Sequence, residues 1–157
     1  LDLNKVKNQD LIRKVKEFEV EKTVAIGVRL FEEMPGKSKI NVGGVEEISF
    51  YNNSIEFFMK KIKNPKFVIF STDHNSLLDK LDIKSNNVLF INSKTIKCKS
   101  TDKLLLMSSY KNFIISNSSF YWWAAYLSEM KFEKINIIAS KKFYNKQTLP
   151  LRWNNNL

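Results

Sequence analysis

Five short apolar runs punctuate this chain: TVAIGVRLF at 23–31, PKFVIFSTD at 65–73, NNVLFIN at 86–92, NFIIS at 112–116 and KINIIAS at 134–140. A strand with one wet face alternates apolar and polar residues. A short run that is apolar at consecutive positions and rich in β-branched residues needs cover on both faces. Between the runs the spacing turns helical. DLIRKVKEFE (10–19) puts Leu11, Ile12, Val15 and Phe18 on one side, and SFYNNSIEFFMKKIK (49–63) does the same with Tyr51, Ile55, Phe58, Met59 and Ile62. NSLLDKLD (75–82) reads as a short helix, TDKLLLMSSY (101–110) as a helix capped by Thr101 or Asp102, and 119–130 as a helix. EMPGKSKINVGG (33–44), with its proline and glycines, reads as a loop. Alternation of this kind predicts an α/β domain: a doubly wound parallel sheet with helices on both faces. At 157 residues and 43% hydrophobic content, the chain suits one domain, 1–157, with a real core.

The net charge of +10 favours an anionic partner over a cationic one. The chain is also rich in Lys, Asn and Ile, so a solvated lysine surface accounts for the charge equally well. The aromatic residues sit inside the strand and helix patterns rather than interleaved with lysines, which argues against nucleic acid. No apolar stretch reaches the roughly 18 residues of a membrane-spanning helix. A lone cysteine, Cys98, cannot form an internal disulfide and fits a reducing, cytoplasmic compartment. His74 is the only histidine, so a zinc site is disfavoured. Neither a phosphate-cradling P-loop nor the glycine fingerprint of dinucleotide-binding folds occurs. The chain opens on Leu1 rather than methionine, which reads as a piece of a longer protein.

Doubly wound sheets bind ligands at the carboxyl ends of their strands. The first run ends on Arg29, the second on Ser71, Thr72 and Asp73, and the fourth on Ser116-Asn117-Ser118-Ser119. The guanidinium fork of Arg29 suits phosphate oxygens; a surface ion pair with Glu32 or Glu33 is the plainer alternative. Ser118 or Ser119 can cap the helix that follows, or the same helix start can receive a phosphate on its free N–H groups. Asp73 can bind a ribose or a base edge, or simply cap a helix near Asn75. The segment YWWAAYL (121–127) reads as core, with large rings on one side and alanines where the helix approaches the sheet.

These residues carry a resemblance. IISNSSFYWWAAYL (114–127) resembles the signature I-I-A-N-S-[ST]-F-S-W-W-A-A-W-L of the bacterial α-1,2-fucosyltransferases, glycosyltransferase family 11. NPKFVIFSTD (64–73), DKLLLMSSYKNFII (102–115), ASKKFY (139–144) and PLRW (150–153) resemble other family segments in the same order, so the likeness runs from about 20 to 153. It implies a Rossmann-like, donor-binding half of a GT-B-type glycosyltransferase, the C-terminal part of an enzyme whose N-terminal half would help form the acceptor side. It further implies inverting, metal-independent transfer of L-fucose from GDP-fucose to a glycan hydroxyl in surface polysaccharide synthesis. No cofactor beyond the donor is implied, and the place would be the cytoplasm, with peripheral contact to the inner membrane face as an option. Arg29 would stabilise the departing GDP as the catalytic cation. Arg29, Asp73, Asn117, Ser118, Ser119 and Phe120 would hold the donor nucleotide.

The family's first motif, H-x-R-R-G-D, is altered here to GVRLFE (27–32): Gly27 replaces His, Leu30 the second Arg, Phe31 the Gly and Glu32 the Asp. Arg29 alone persists. The alteration opens a second expectation, a non-catalytic relative that binds a nucleotide sugar or glycan.

Overall fold

The computed structural model describes residues 8–29, 46–71, 77–84, 86–91 and 99–140. Its elements follow the expected alternation: α1 (Gln9–Val15), β1 (Thr23–Gly27), α2 (Ile48–Lys61), β2 (Lys66–Phe70), α3 (Leu77–Lys80), β3 (Val88–Ile91), α4 (Ser100–Met107), β4 (Asn112–Ile115), α5 (Ser119–Glu129) and β5 (Asn136–Ala139). All five strands pair in parallel, in the order β3-β2-β1-β4-β5. The chain builds outward from β1 to β3, then α4 carries it back to β4 on the other side of β1. The sheet order therefore reverses between β1 and β4, and a crevice opens at that switch point.

Residue parity divides the core into two layers. Val24, Ile26, Val28, Phe67, Ile69, Ile114 and Ile138 pack with Tyr51, Ile55 and Phe58 of α2 and Leu77 of α3. Ala25, Val68, Phe70, Phe113, Ile115, Ile137 and Ala139 point the other way, onto Leu11 and Val15 of α1, Leu106 and Met107 of α4 and Tyr121, Ala124 and Ala125 of α5. Successive side chains of a strand face opposite sides, so only a run without polar alternation can feed both layers. Helix α2 buries Tyr51, Ser54, Ile55 and Phe58, a stripe at spacing three and four.

Some boundaries differ from the sequence reading. Helix α1 stops at Val15, and its start is fixed by Asn8, whose side chain accepts from the Leu11 N–H at 3.0 Å. Phe18 lies beyond the helix yet still packs against the core. Neither Thr101 nor Asp102 caps α4: Lys99 occupies the N-cap position, with no side-chain hydrogen bond to the helix. Strand β1 ends at Gly27, although the Val28 N–H still donates to the Phe70 carbonyl at 2.9 Å. The loop expected at 33–44 lies outside the described residues.

Side chains also lock the amino ends of the strands. The Asn112 amide donates to the Thr23 carbonyl at 3.1 Å and the Glu21 carbonyl at 3.2 Å, tying β4 to β1. Asn136 donates to the Asn112 side chain at 2.8 Å, tying in β5. Tyr110, between α4 and β4, is 2% exposed, and its hydroxyl has no hydrogen-bond partner among the described residues. Burial pushes that phenol's pKa well above the usual tyrosine value. An orphaned buried hydroxyl carries a desolvation penalty of about 1–3 kcal/mol. Tyr110→Phe is expected to leave denaturant stability at neutral pH unchanged or raised. The folded state holds the phenolic proton more tightly than the unfolded state. The stability tied to that proton is complete below the unfolded pKa of about 10 and lost as pH rises above it. Parallel urea titrations at neutral and strongly alkaline pH check this: wild type should lose ground to Tyr110→Phe only on the alkaline side.

Candidate functional site

At the carboxyl ends of the strands the backbone is bound together by hydroxyls. The Ser116 hydroxyl and N–H both reach the Gly27 carbonyl, at 3.1 and 3.2 Å, joining the exit of β4 to that of β1. The Tyr121 hydroxyl lies 3.0 Å from both the Val28 and the Phe70 carbonyls, joining α5 to the exits of β1 and β2. From the other face of the sheet, the Tyr51 hydroxyl accepts from the Arg29 N–H at 3.2 Å and approaches the Arg29 carbonyl at 3.3 Å. The chain leaving β1 is thus held from both layers, and the Arg29 side chain has a fixed root.

That root aims the guanidinium across the switch point. Arg29 Nη1 donates to the Asn117 carbonyl at 3.4 Å, immediately before α5. Ser118 occupies the N-cap position of α5 in an extended conformation, with no hydrogen bond from its hydroxyl to the helix. The Ser118 hydroxyl therefore does not cap the first turn of α5, whose positive end lies beside a cation. A cleft of about 340 Å³ opens here, lined by Arg29, Phe70, Ser71, Ile91, Ser100, Lys103, Ser118, Phe120 and Tyr121. None of these residues is acidic, and Arg29 makes no ion pair among the described residues.

The structure brings together most of the residues singled out by sequence. Arg29, Ser118 and Phe120 line the cleft, and Asn117 contributes its carbonyl to Arg29. Ser119, the first residue of α5, is exposed and outside the lining, although its neighbours Ser118 and Phe120 on either side belong to it. Asp73, Thr72, His74, Glu32, Glu33 and Cys98 lie outside the described residues. Sequence reasoning missed Lys103, Ser100 and Tyr121. The first two belong to α4, whose start was read only as a cap.

Tyr121 was assigned with the two tryptophans to one packed side of a helix. Adjacent helical residues are rotated by about 100°, so three consecutive rings cannot share a face. Tyr121 points inward, Trp122 is half-buried and stacks on Tyr126 with ring centroids 5.1 Å apart, and Trp123 is 51% exposed. The alanines behave as expected: Ala124 and Ala125 are fully buried in the layer under α5.

The replacement of histidine by Gly27 also gains a physical reason. A Cβ at position 27 would lie 2.4–2.7 Å from the ring carbons of Tyr121. The family signature carries serine where this chain has Tyr121. In this chain the Tyr121 ring occupies the space that a side chain at position 27 would need. Gly27→Ala is expected to destabilise the domain by about 1–3 kcal/mol, the usual penalty for overpacking. Combination with Tyr121→Ser should recover part of that loss, which a double-mutant cycle by urea denaturation measures.

The described lining thus sets cations and no acid at the switch point of a parallel α/β sheet, the place where folds of this class hold their ligands. The sequence model of glycosyl transferase family 11 matches residues 6–154, and this chain belongs to that family. Among curated proteins, the alpha-1,2-colitosyltransferase of Escherichia coli is 29% identical over 108 residues, 67% of this chain and 36% of that protein. The O-antigen biosynthesis glycosyltransferase WbnK of Escherichia coli is 26% identical over 110 residues, 70% of this chain and 34% of that protein. The matched part thus spans little more than a third of the length of these relatives. No solved structure matches the chain significantly. Among the described residues, no helix is long and apolar enough to cross a membrane.

Proposed function

We infer that this domain binds the nucleotide-sugar donor of an inverting, metal-independent fucosyl-type glycosyltransferase, with GDP-fucose as the donor and a glycan hydroxyl as the acceptor. The observation that carries the reading is the Arg29 guanidinium seated beside the start of α5, in a cleft with no acid among its described lining residues. Breaking the sugar–phosphate bond leaves negative charge on the departing diphosphate while the sugar gains oxocarbenium character. Donors already oriented toward that charge lower the barrier without reorganising. Arg29 supplies a fixed charge, and the N–H groups behind Ser118 and Phe120 supply the helix end. Tyr51 acts on the reaction only through the backbone of Arg29. Asp73 is the nucleotide-side anchor in this reading, and an acceptor-side region outside this chain supplies the general base. The domain, 1–157, is the donor half of a longer cytoplasmic enzyme of surface-polysaccharide synthesis.

The names of the matched relatives support glycosyl transfer, and one of them names colitose; fucose enters through the resemblance of the 114–127 signature. The altered stretch Gly27–Glu32 keeps the non-catalytic alternative in play. Calorimetric titration with GDP is expected to be saturable, and Arg29→Ala is expected to weaken it by about tenfold or more, the scale of a lost charge-assisted contact. Absence of GDP binding to wild type in both this chain and its parent protein would overturn the donor-site reading. Incubation of the parent protein with GDP-fucose or GDP-colitose and a β-galactoside panel separates the alternatives. Sugar transfer supports the enzyme, and binding without transfer supports the non-catalytic relative.

A further inference from the structure

We propose that Lys103 is a second anion-binding residue of this cleft, matched to the second phosphate of a diphosphate ligand. The inference rests on the donor-site reading and adds to it a residue from a different element. Lys103 is the fourth residue of α4, near the helix's positive end, where a cation is electrostatically misplaced. Helix stability therefore does not explain it. Nor does an ion pair: Lys22, Lys60 and Lys111 each meet a glutamate, whereas Lys103 meets no carboxylate among the described residues. It is half-buried and lines the cleft together with Arg29.

Among the described residues the lining carries these two cations and no acid, and two cations so placed repel each other and lose solvation by partial burial. The arrangement becomes favourable when a multiply charged anion lies between them. A phosphate monoester can be satisfied by Arg29 and the start of α5 alone. A diphosphate carries a further charged group, and Lys103 is the other cation among the described lining residues. As a compact point charge on a flexible stem, lysine can follow that group as the bond to the sugar breaks. Arg29, rooted by Tyr51, stays fixed.

The test titrates wild type, Lys103→Gln, Lys103→Arg and the control Lys60→Gln with GDP and with GMP, after thermal melts establish that each variant is folded. Lys103→Gln is expected to weaken GDP by about tenfold, the scale of one charge-assisted contact, and GMP by much less. Lys103→Arg should retain most of the GDP affinity, and Lys60→Gln should match wild type. GDP binding unchanged in Lys103→Gln overturns the inference while leaving the donor site intact. An equal loss for GMP and GDP overturns the assignment to the second phosphate. Wild type that binds neither nucleotide overturns the donor-site reading, and this inference with it.

Discussion

The structure depends on one constraint: all five strands run the same way, so every strand hands over to its next segment at the same edge of the sheet. Parallel pairing requires crossovers, and crossovers place helices on both faces. Arg29 at the exit of β1, Ser71 at the exit of β2 and Ser118 after β4 come together for this reason. They are far apart in sequence, and no local preference gathers them. The return of the chain through α4 adds the reversal in strand order that leaves space between them.

Tyr121 turns that edge into a site with a defined shape. Its ring covers Gly27, and its hydroxyl bridges the carbonyls of Val28 and Phe70. The Val28 carbonyl lies past the end of the regular ladder, where backbone groups need other partners, and the Phe70 carbonyl also accepts from the Val28 N–H. One side chain thereby ties α5 to the exits of β1 and β2 and lines the cleft. With that ring over it, position 27 admits no side chain beyond glycine's without a shift of its surroundings. What persists is the cation, held through its backbone by Tyr51 from the opposite layer.

The electrostatics of the cleft sharpen the meaning of the overall charge. A net charge of +10 could equally have described a solvated surface. Many lysines do behave so: Lys22 and Lys60 are exposed and paired with neighbouring glutamates on the same turn of chain, pairs that contribute little to stability. Arg29 and Lys103 differ because they share a concavity with no acid among its described lining residues. Position, rather than number, separates the cations that line the cleft from those paired on the surface.

The sequence by itself determined the fold class, because doubly covered strands need uninterrupted apolar runs and helices need spacing of three and four. Each of the five strands fell inside its expected run. It also marked Arg29 and the turn Asn117–Ser118, since a polar break after an apolar run sits at a strand exit in any such sheet. It could not divide Tyr121, Trp122 and Trp123 among inward, half-buried and exposed directions, because hydrophobicity says nothing of helix phase when every neighbour is aromatic. It gave no sign of Lys103, one lysine among many, nor of the contact between Gly27 and Tyr121. Those were decided by tertiary structure alone: they arise where α4 and α5 cross the sheet edge, a meeting of segments brought together only by burial of both faces of the parallel sheet.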